Sequence, residues 1–147
     1  MNLKQFTVFL FFILIMSSCT SAKSTNQVCF KNHCIEVEVV SKEEDRIRGL
    51  QNRPALDADK GMLFVFPESS QHTFWMKDTL IPLDIIWMDY AKRVVFIEEA
   101  AKPCKIAPCP RYVPPENAMY VLEINANSTK NLGLKVGDVV EFRLEKL

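Results

Sequence analysis

The chain has 147 residues, of which 48% are hydrophobic and 24% charged, proportions that suit one folded domain with its own core rather than a disordered or partner-dependent segment. Its 18 basic and 18 acidic residues cancel, so no global field draws nucleic acid, and a monomer without a nucleic-acid partner is expected.

The first residues, "MNLKQFTVFLFFILIMSSC", hold one Lys, no acid and an apolar stretch from Phe6 to Met16. That stretch is about half the ~20 residues a bilayer core requires, so it reads as a signal peptide over residues 1–18 and not as a spanning helix. Ser17-Ser18-Cys19 resembles the bacterial lipobox, in which the Cys receives a diacylglycerol and becomes the new N-terminus. Each buried methylene of an acyl chain contributes about 0.8 kcal/mol, so two chains anchor stably. Residues 19–27, with "TSAKSTNQ" after Cys19, form a polar tether, leaving residues 28–147 as a single β-rich domain. Thr20 after the Cys, where an Asp would signal retention, points to the outer membrane facing the periplasm. The expected location is the bacterial cell envelope, with the lipid as the membrane contact.

Four cysteines then remain, in two Cys-x4-Cys pairs, and an even count in an exported chain argues for disulfides Cys29–Cys34 and Cys104–Cys109. In "CFKNHC" a two-residue turn at Lys31-Asn32 would pair Phe30 with His33, leaving Cys29 and Cys34 facing each other at a separation that suits a bridge. Zinc is the competing use of four cysteines, but the short Cys-x2-Cys knuckle is missing and no metal is expected.

Apolar periodicity in the remainder is mostly of period two. "HCIEVEVV" puts Ile35, Val37 and Val39 on one face and Glu36 and Glu38 on the other. "SKEEDRIRGL" predicts a short helix over about 42–48, with Ser41 and Glu44 in capping-box spacing and Gly49 as its stop. "GMLFVF" is short and apolar enough for a strand buried on both faces, ended by Pro67, and "HTFWM" predicts another strand. "LDIIWMD" and "RVVFIEE" form a hairpin around "YAK". "KPCKIAPCPRYVPPEN" holds too many prolines for a regular element. "AMYVLEIN" places Tyr120, Leu122 and Ile124 on one face and Glu123 on the other. "STKNLGL" gives one helical turn, and "VGDVVEFRL" the closing strand. The fold class is mainly β, a compact barrel-like or strongly curled, mostly antiparallel sheet with one or two short helices.

Chemistry-bearing motifs are sparse. Four glycines without a cluster exclude a nucleotide loop, and Ser69 and Ser70 lack the elbow of a serine hydrolase. Met62, Met76, Met88 and Met119 alternate with aliphatic residues as core fillers do. His33 falls in a turn and His72 at the start of a strand, neither beside a second ligand. No cofactor is expected.

"HTFWMKDTLIPLD" remains. Strand alternation turns Phe74 and Met76 to the core and Trp75 with Lys77 to the opposite face, and Asp84 borders the apolar "IIWM", where a carboxylate needs a partner. Two readings stay open. Lys77 and Asp84 form a structural ion pair at the Pro82 corner, or Trp75, Lys77 and Asp84 line a shallow pocket for a small polar or anionic ligand.

Taken together, "EVEVVSKEEDRIRGLQNRPALDADKGMLFVFPESSQHTFWMKDTLIPLDIIWMD", "VVFIEEAAKPCKIAPCP" and "YVLEINANSTKNLGLKVGDVVEF" resemble the uncharacterised bacterial and archaeal family called domain of unknown function 192, over Glu36 to Phe142. Gly-Met-Leu-Phe at Gly61, Phe-Trp-Met-Lys at Phe74 and Pro-Leu-Asp at Pro82 carry the likeness most specifically. Lys77-Asp78-Thr79 departs from the family's usual Lys-Asn-Thr, putting an acid beside Lys77. The resemblance implies a compact β-rich domain, often exported, and no established reaction. It supplies no catalytic residue. The function expected is an envelope-anchored, non-catalytic ligand-binding or maintenance module; an enzyme with a site around Trp75, Lys77 and Asp84, or a structural docking protein, are the alternatives.

Overall fold

Alternating apolar residues drive the chain into nine strands, described in a computed structural model over residues 25–145. The expected signal peptide, Cys19 and most of the expected tether lie outside the described residues. In chain order come β1 (Gln27–Phe30), β2 (His33–Val40), α1 (Glu43–Arg48), β3 (Lys60–Ser70), β4 (Phe74–Trp75) and β5 (Leu83–Met88). These are followed by β6 (Val94–Ala101), β7 (Arg111–Tyr112), β8 (Ala118–Asn125), α2 (Ser128–Leu132) and β9 (Glu141–Arg143). Seven strands form one sheet in the order β6-β5-β8-β3-β2-β1-β9, and β4 pairs with β7 in a separate ribbon.

Neighbours in the large sheet are antiparallel except β2 and β3, since a parallel pair needs a crossover and α1 supplies it. The sheet curls strongly, and the segment that leads into β9 ties to the start of β6. The Val94 N–H donates to the Asp138 carbonyl and the Gly137 N–H to the Val94 carbonyl, each at 2.8 Å, and Arg93 bridges Val139. The result is a mainly β, strongly curled half-barrel with two short helices, the fold class that the period-two pattern implies.

Each face of the curl has a core. The concave face packs Val28, Ile35, Val37, Leu63, Ile86, Leu122 and Ile124, plugged by Leu134 and Val140. The convex face packs Met62, Phe64, Ile85, Trp87 and Val121 beneath Leu50 and Met76. Burying each such side chain stabilises the fold by about 1.5–3 kcal/mol. β8 is therefore covered on both sides, and Gly61 lets β3 approach it closely. A Cβ there would lie 2.7 Å from the Glu123 carbonyl oxygen and 2.9 Å from Ile124 Cγ2.

Several local expectations need correction. "HTFWM" does not make a strand of the main sheet; only Phe74 and Trp75 pair, with Tyr112 and Arg111. Their partner β7 comes from the Pro-rich loop, at two residues that carry no Pro. Strand β3 runs past Pro67 to Ser70, although its pairing with β8 shifts between Val65 and Ser70, where Pro67 has no N–H to give. The capping box does not form. Helix α1 starts one residue later, with Lys42 at the cap position and no side-chain cap, because lysine has no oxygen to accept the orphan N–H groups.

Register in the first hairpin pairs Phe30 with His33 and Cys29 with Cys34. The Cys29–Cys34 bond joins Cα atoms 4.0 Å apart, and Cys104–Cys109 joins Cα atoms 5.8 Å apart.

Candidate functional site: an aromatic cleft over a buried carboxyl

Asp84 lies on β5 on the same side of the sheet as Ile86, fully buried. Its Oδ1 accepts the Ala100 N–H at 2.9 Å and the Asn127 N–H at 3.0 Å. Its Oδ2 accepts the Thr129 N–H at 2.9 Å and the Thr129 hydroxyl at 2.7 Å. Four donors fill the acceptor sites that a carboxylate offers, and they tie β5 to β6 and to the start of α2.

Lys77 makes no contact in this set. Because β4 leaves the main sheet for the ribbon, the chain after it is drawn to the second disulfide loop, where Lys77 bridges Cys104. Its Nζ lies 5.6 Å from the Trp75 ring centroid. The structure thus separates the expected trio: Asp84 is a buried staple, while Trp75 and Lys77 stay together at the surface.

Trp75 does line a cleft, with other walls. Crossover helix α1 and the turn after it supply Arg46, Ile47 and Leu50, β3 supplies Phe64 and Phe66, and β4 supplies Phe74 and Trp75, around a volume of about 310 Å³. Aromatic packing fixes these walls. The Phe64 and Phe74 rings meet edge to face at 4.9 Å, a favoured geometry for such pairs. The Arg46 guanidinium lies 5.0 Å from the Phe66 centroid and donates to the Ser41 and Val65 carbonyls. Arg111 lies 4.9 Å from the Trp75 centroid. Cations therefore sit against two of the aromatic walls.

Glu123 forms the floor. It stands on β8 opposite Met62 of β3 and Ile85 of β5, only 5% exposed. Among the described residues no donor reaches its carboxyl, which opens on the cleft. Burial pushes this carboxyl up to about 8, because a low dielectric disfavours the charged form and no cation offsets it. At neutral pH it is a neutral acid with a proton to donate. Thr79, also buried, shares the lining.

Alternation along "AMYVLEIN" placed Glu123 opposite Leu122 and Ile124 correctly, but that opposite face is a second core and not solvent. The overlooked signal was Met119 and Val121 on the same face as Glu123, since a strand apolar on both sides buries whatever polar residue it holds.

His72 belongs to the supporting structure. Its ring stacks on Phe66 at 3.5 Å, Nε2 lies 3.1 Å from the Glu68 carbonyl oxygen, and its own carbonyl accepts the Trp87 indole N–H at 2.8 Å. Burial lowers its pKa, with the Glu68 carbonyl opposing. Met62, Met76 and Met88 are buried core residues. No cluster of three potential metal ligands occurs among the described residues.

Comparison with known proteins places this architecture. A "UPF0127 protein" of Thermococcus gammatolerans is 30% identical over 111 residues, 72% of this chain and 65% of that protein, so the chain spans about two thirds of the relative's length. A Novosphingobium aromaticivorans crystal structure, described as a protein of unknown function, superposes with a TM-score of 0.72 at 32% identity, covering 80% of this chain and 83% of the other. A Sinorhizobium meliloti structure with the provisional description "transcription regulator" gives the same TM-score and identity, covering 80% and 92%. The family model described as "Uncharacterized ACR" matches residues 25–142, and the chain belongs to that family, domain of unknown function 192.

Proposed function

We propose that the protein is a lipid-anchored module of the bacterial envelope, held at the outer membrane through Cys19 and facing the periplasm, that binds a small ligand in the cleft between α1, β3 and β4. One observation carries the binding half: an aromatic-walled cleft of about 310 Å³ ends on a buried carboxyl whose hydrogen-bonding capacity the described residues leave unused. Buried polar groups normally find partners within the fold, and a polar group unpaired at the bottom of an apolar cleft is the usual mark of a ligand site. The balance of 18 basic and 18 acidic residues supports a small molecule over nucleic acid as that ligand.

The anchoring half rests on Ser17-Ser18-Cys19 and the polar residues behind it. Replacing Cys19 by Ala and fractionating cells tests it. The wild type is expected in the membrane fraction with incorporated palmitate and the variant without either; equal membrane association of both overturns anchoring.

A second reading, an enzyme, also has a specific observation behind it. A carboxyl that titrates near neutrality inside a cleft suits proton transfer. It moves the candidate reactive group from Lys77 and Asp84 to Glu123. Binding is preferred because the lining around Glu123 holds no Ser, Cys, His or Lys to serve as an activated nucleophile or proton-transfer partner.

A further inference from the structure

Resting on the reading of this cleft as a ligand site, we infer that its occupant is a small organic anion with a flat apolar body and a neutral hydrogen-bond acceptor. Its charged group faces Arg46, and its acceptor takes a hydrogen bond from the Glu123 carboxyl.

The charges facing the cleft decide the sign. Helix α1 contributes Glu43, Arg46 and Arg48 to the lining, while β3 and β5 set only Met62 and Ile85 directly beside Glu123. Arg48 is engaged with Asp45 at 3.4 Å. Lys77 and Arg111 add positive charge against Trp75. An aromatic cleft can attract a cation, but here Phe66 already holds Arg46, and Trp75 already holds Lys77 and Arg111. A cationic ligand would be repelled by Arg46 and Arg48 on the lining and would find a carboxyl without charge at the floor, with Glu43 the one other lining acid to attract it. An anion is drawn by those arginines and opposed by Glu43 alone. Two carbonyls engage one terminal nitrogen of Arg46, leaving the other N–H groups of its five-donor fork for a carboxylate.

The floor decides the second half. Since the Glu123 carboxyl holds its proton up to about 8, it can donate one hydrogen bond to a carbonyl or ether oxygen at neutral pH. Loss of the proton turns the donor into a buried like charge for an anionic ligand, so binding should weaken as pH rises through that value.

Three probes sharing one aromatic ketone body test this: 4-acetylbenzoate, 4-acetylbenzylamine and acetophenone. Each is titrated against the detergent-solubilised full chain while the amide resonances of Leu50, Thr73 and Trp75 are followed by NMR. We expect 4-acetylbenzoate to bind at least tenfold more tightly than the amine at pH 6.5, and to lose about tenfold between pH 6.5 and pH 9 as the competent protonated fraction falls. Glu123→Gln, which keeps a donor that cannot titrate, should bind at pH 6.5 and lose the pH dependence. Arg46→Met should remove the preference for the anion while acetophenone binding persists. Tighter binding of the amine, or equal affinity for all three probes, overturns this inference but leaves the cleft as a ligand site. Failure of every probe to shift any cleft amide overturns both.

Discussion

Asp84→Ala is expected to destabilise the fold by about 3–5 kcal/mol, lowering Tm by more than about 10 °C. The substitution leaves the N–H groups of Ala100, Asn127 and Thr129 and the Thr129 hydroxyl without their acceptor, in a place where Asp84 and Thr129 are both fully buried. Each buried donor left without an acceptor costs about 1–3 kcal/mol. Asn is not a conservative replacement, since its amide NH2 must point at one pair of these donors. Thr129→Ala removes one donor and leaves the carboxylate three, so its cost should be the smaller, about 1–2 kcal/mol. Trp75→Ala should also cost less than Asp84→Ala, because Trp75 is 36% exposed. Thermal unfolding of the three variants beside wild type measures the order. An Asp84→Ala protein that unfolds at the wild-type temperature would refute the staple.

Glu123→Gln is expected to act in the opposite direction, stabilising the protein and doing so only above acid pH. The folded carboxyl keeps its proton to about 8, against an ordinary glutamate value of 4.5. A raised acid contributes fully below its unfolded pKa, and that contribution drains away as pH climbs towards the folded pKa, at up to about 1.4 kcal/mol per pH unit. Wild type should therefore match the variant near pH 4 and fall behind it by up to about 3 kcal/mol at pH 7. Other carboxyls titrate alike in both proteins and cancel in the difference. Urea midpoints from pH 4 to pH 8.5 give the curve; a difference that stays constant with pH would mean that Glu123 is not a buried titrating acid.

These two carboxyls mark where the sequence could be read and where it could not. Period-two alternation assigns the faces of β2 and β8, and the x4 spacing of Cys29 and Cys34 sets a hairpin register, because both signals are local. Asp84 in its apolar run also announces a need for partners. Their identity is not local: Ala100, Asn127 and Thr129 are 16, 43 and 45 positions away, and lysine seven residues off was the nearer guess. The separation of Lys77 from Asp84 follows from β4 pairing with β7, two-residue strands too short to leave a periodic signal. The cleft was hidden for a related reason. It exists only where crossover α1 lies over the convex face, and alternation along β8 assigns Glu123 to a face without saying what covers that face.

The placement of the two tryptophans has an optical consequence. Trp87 is fully buried with its indole N–H bonded to the His72 carbonyl, so its emission should be blue-shifted and shielded from soluble quenchers until the molecule unfolds. Trp75, partly exposed and flanked by Lys77 and Arg111, should emit to the red and be quenched far more by iodide, which those cations concentrate locally, than by caesium. Added salt should narrow that contrast by screening. The unlabelled protein thus carries two spectrally separable reporters, one for global unfolding and one for events at the cleft mouth. A Trp75→Phe variant assigns the red component, and equal quenching by iodide and caesium would show that the flanking charges do not act on the indole.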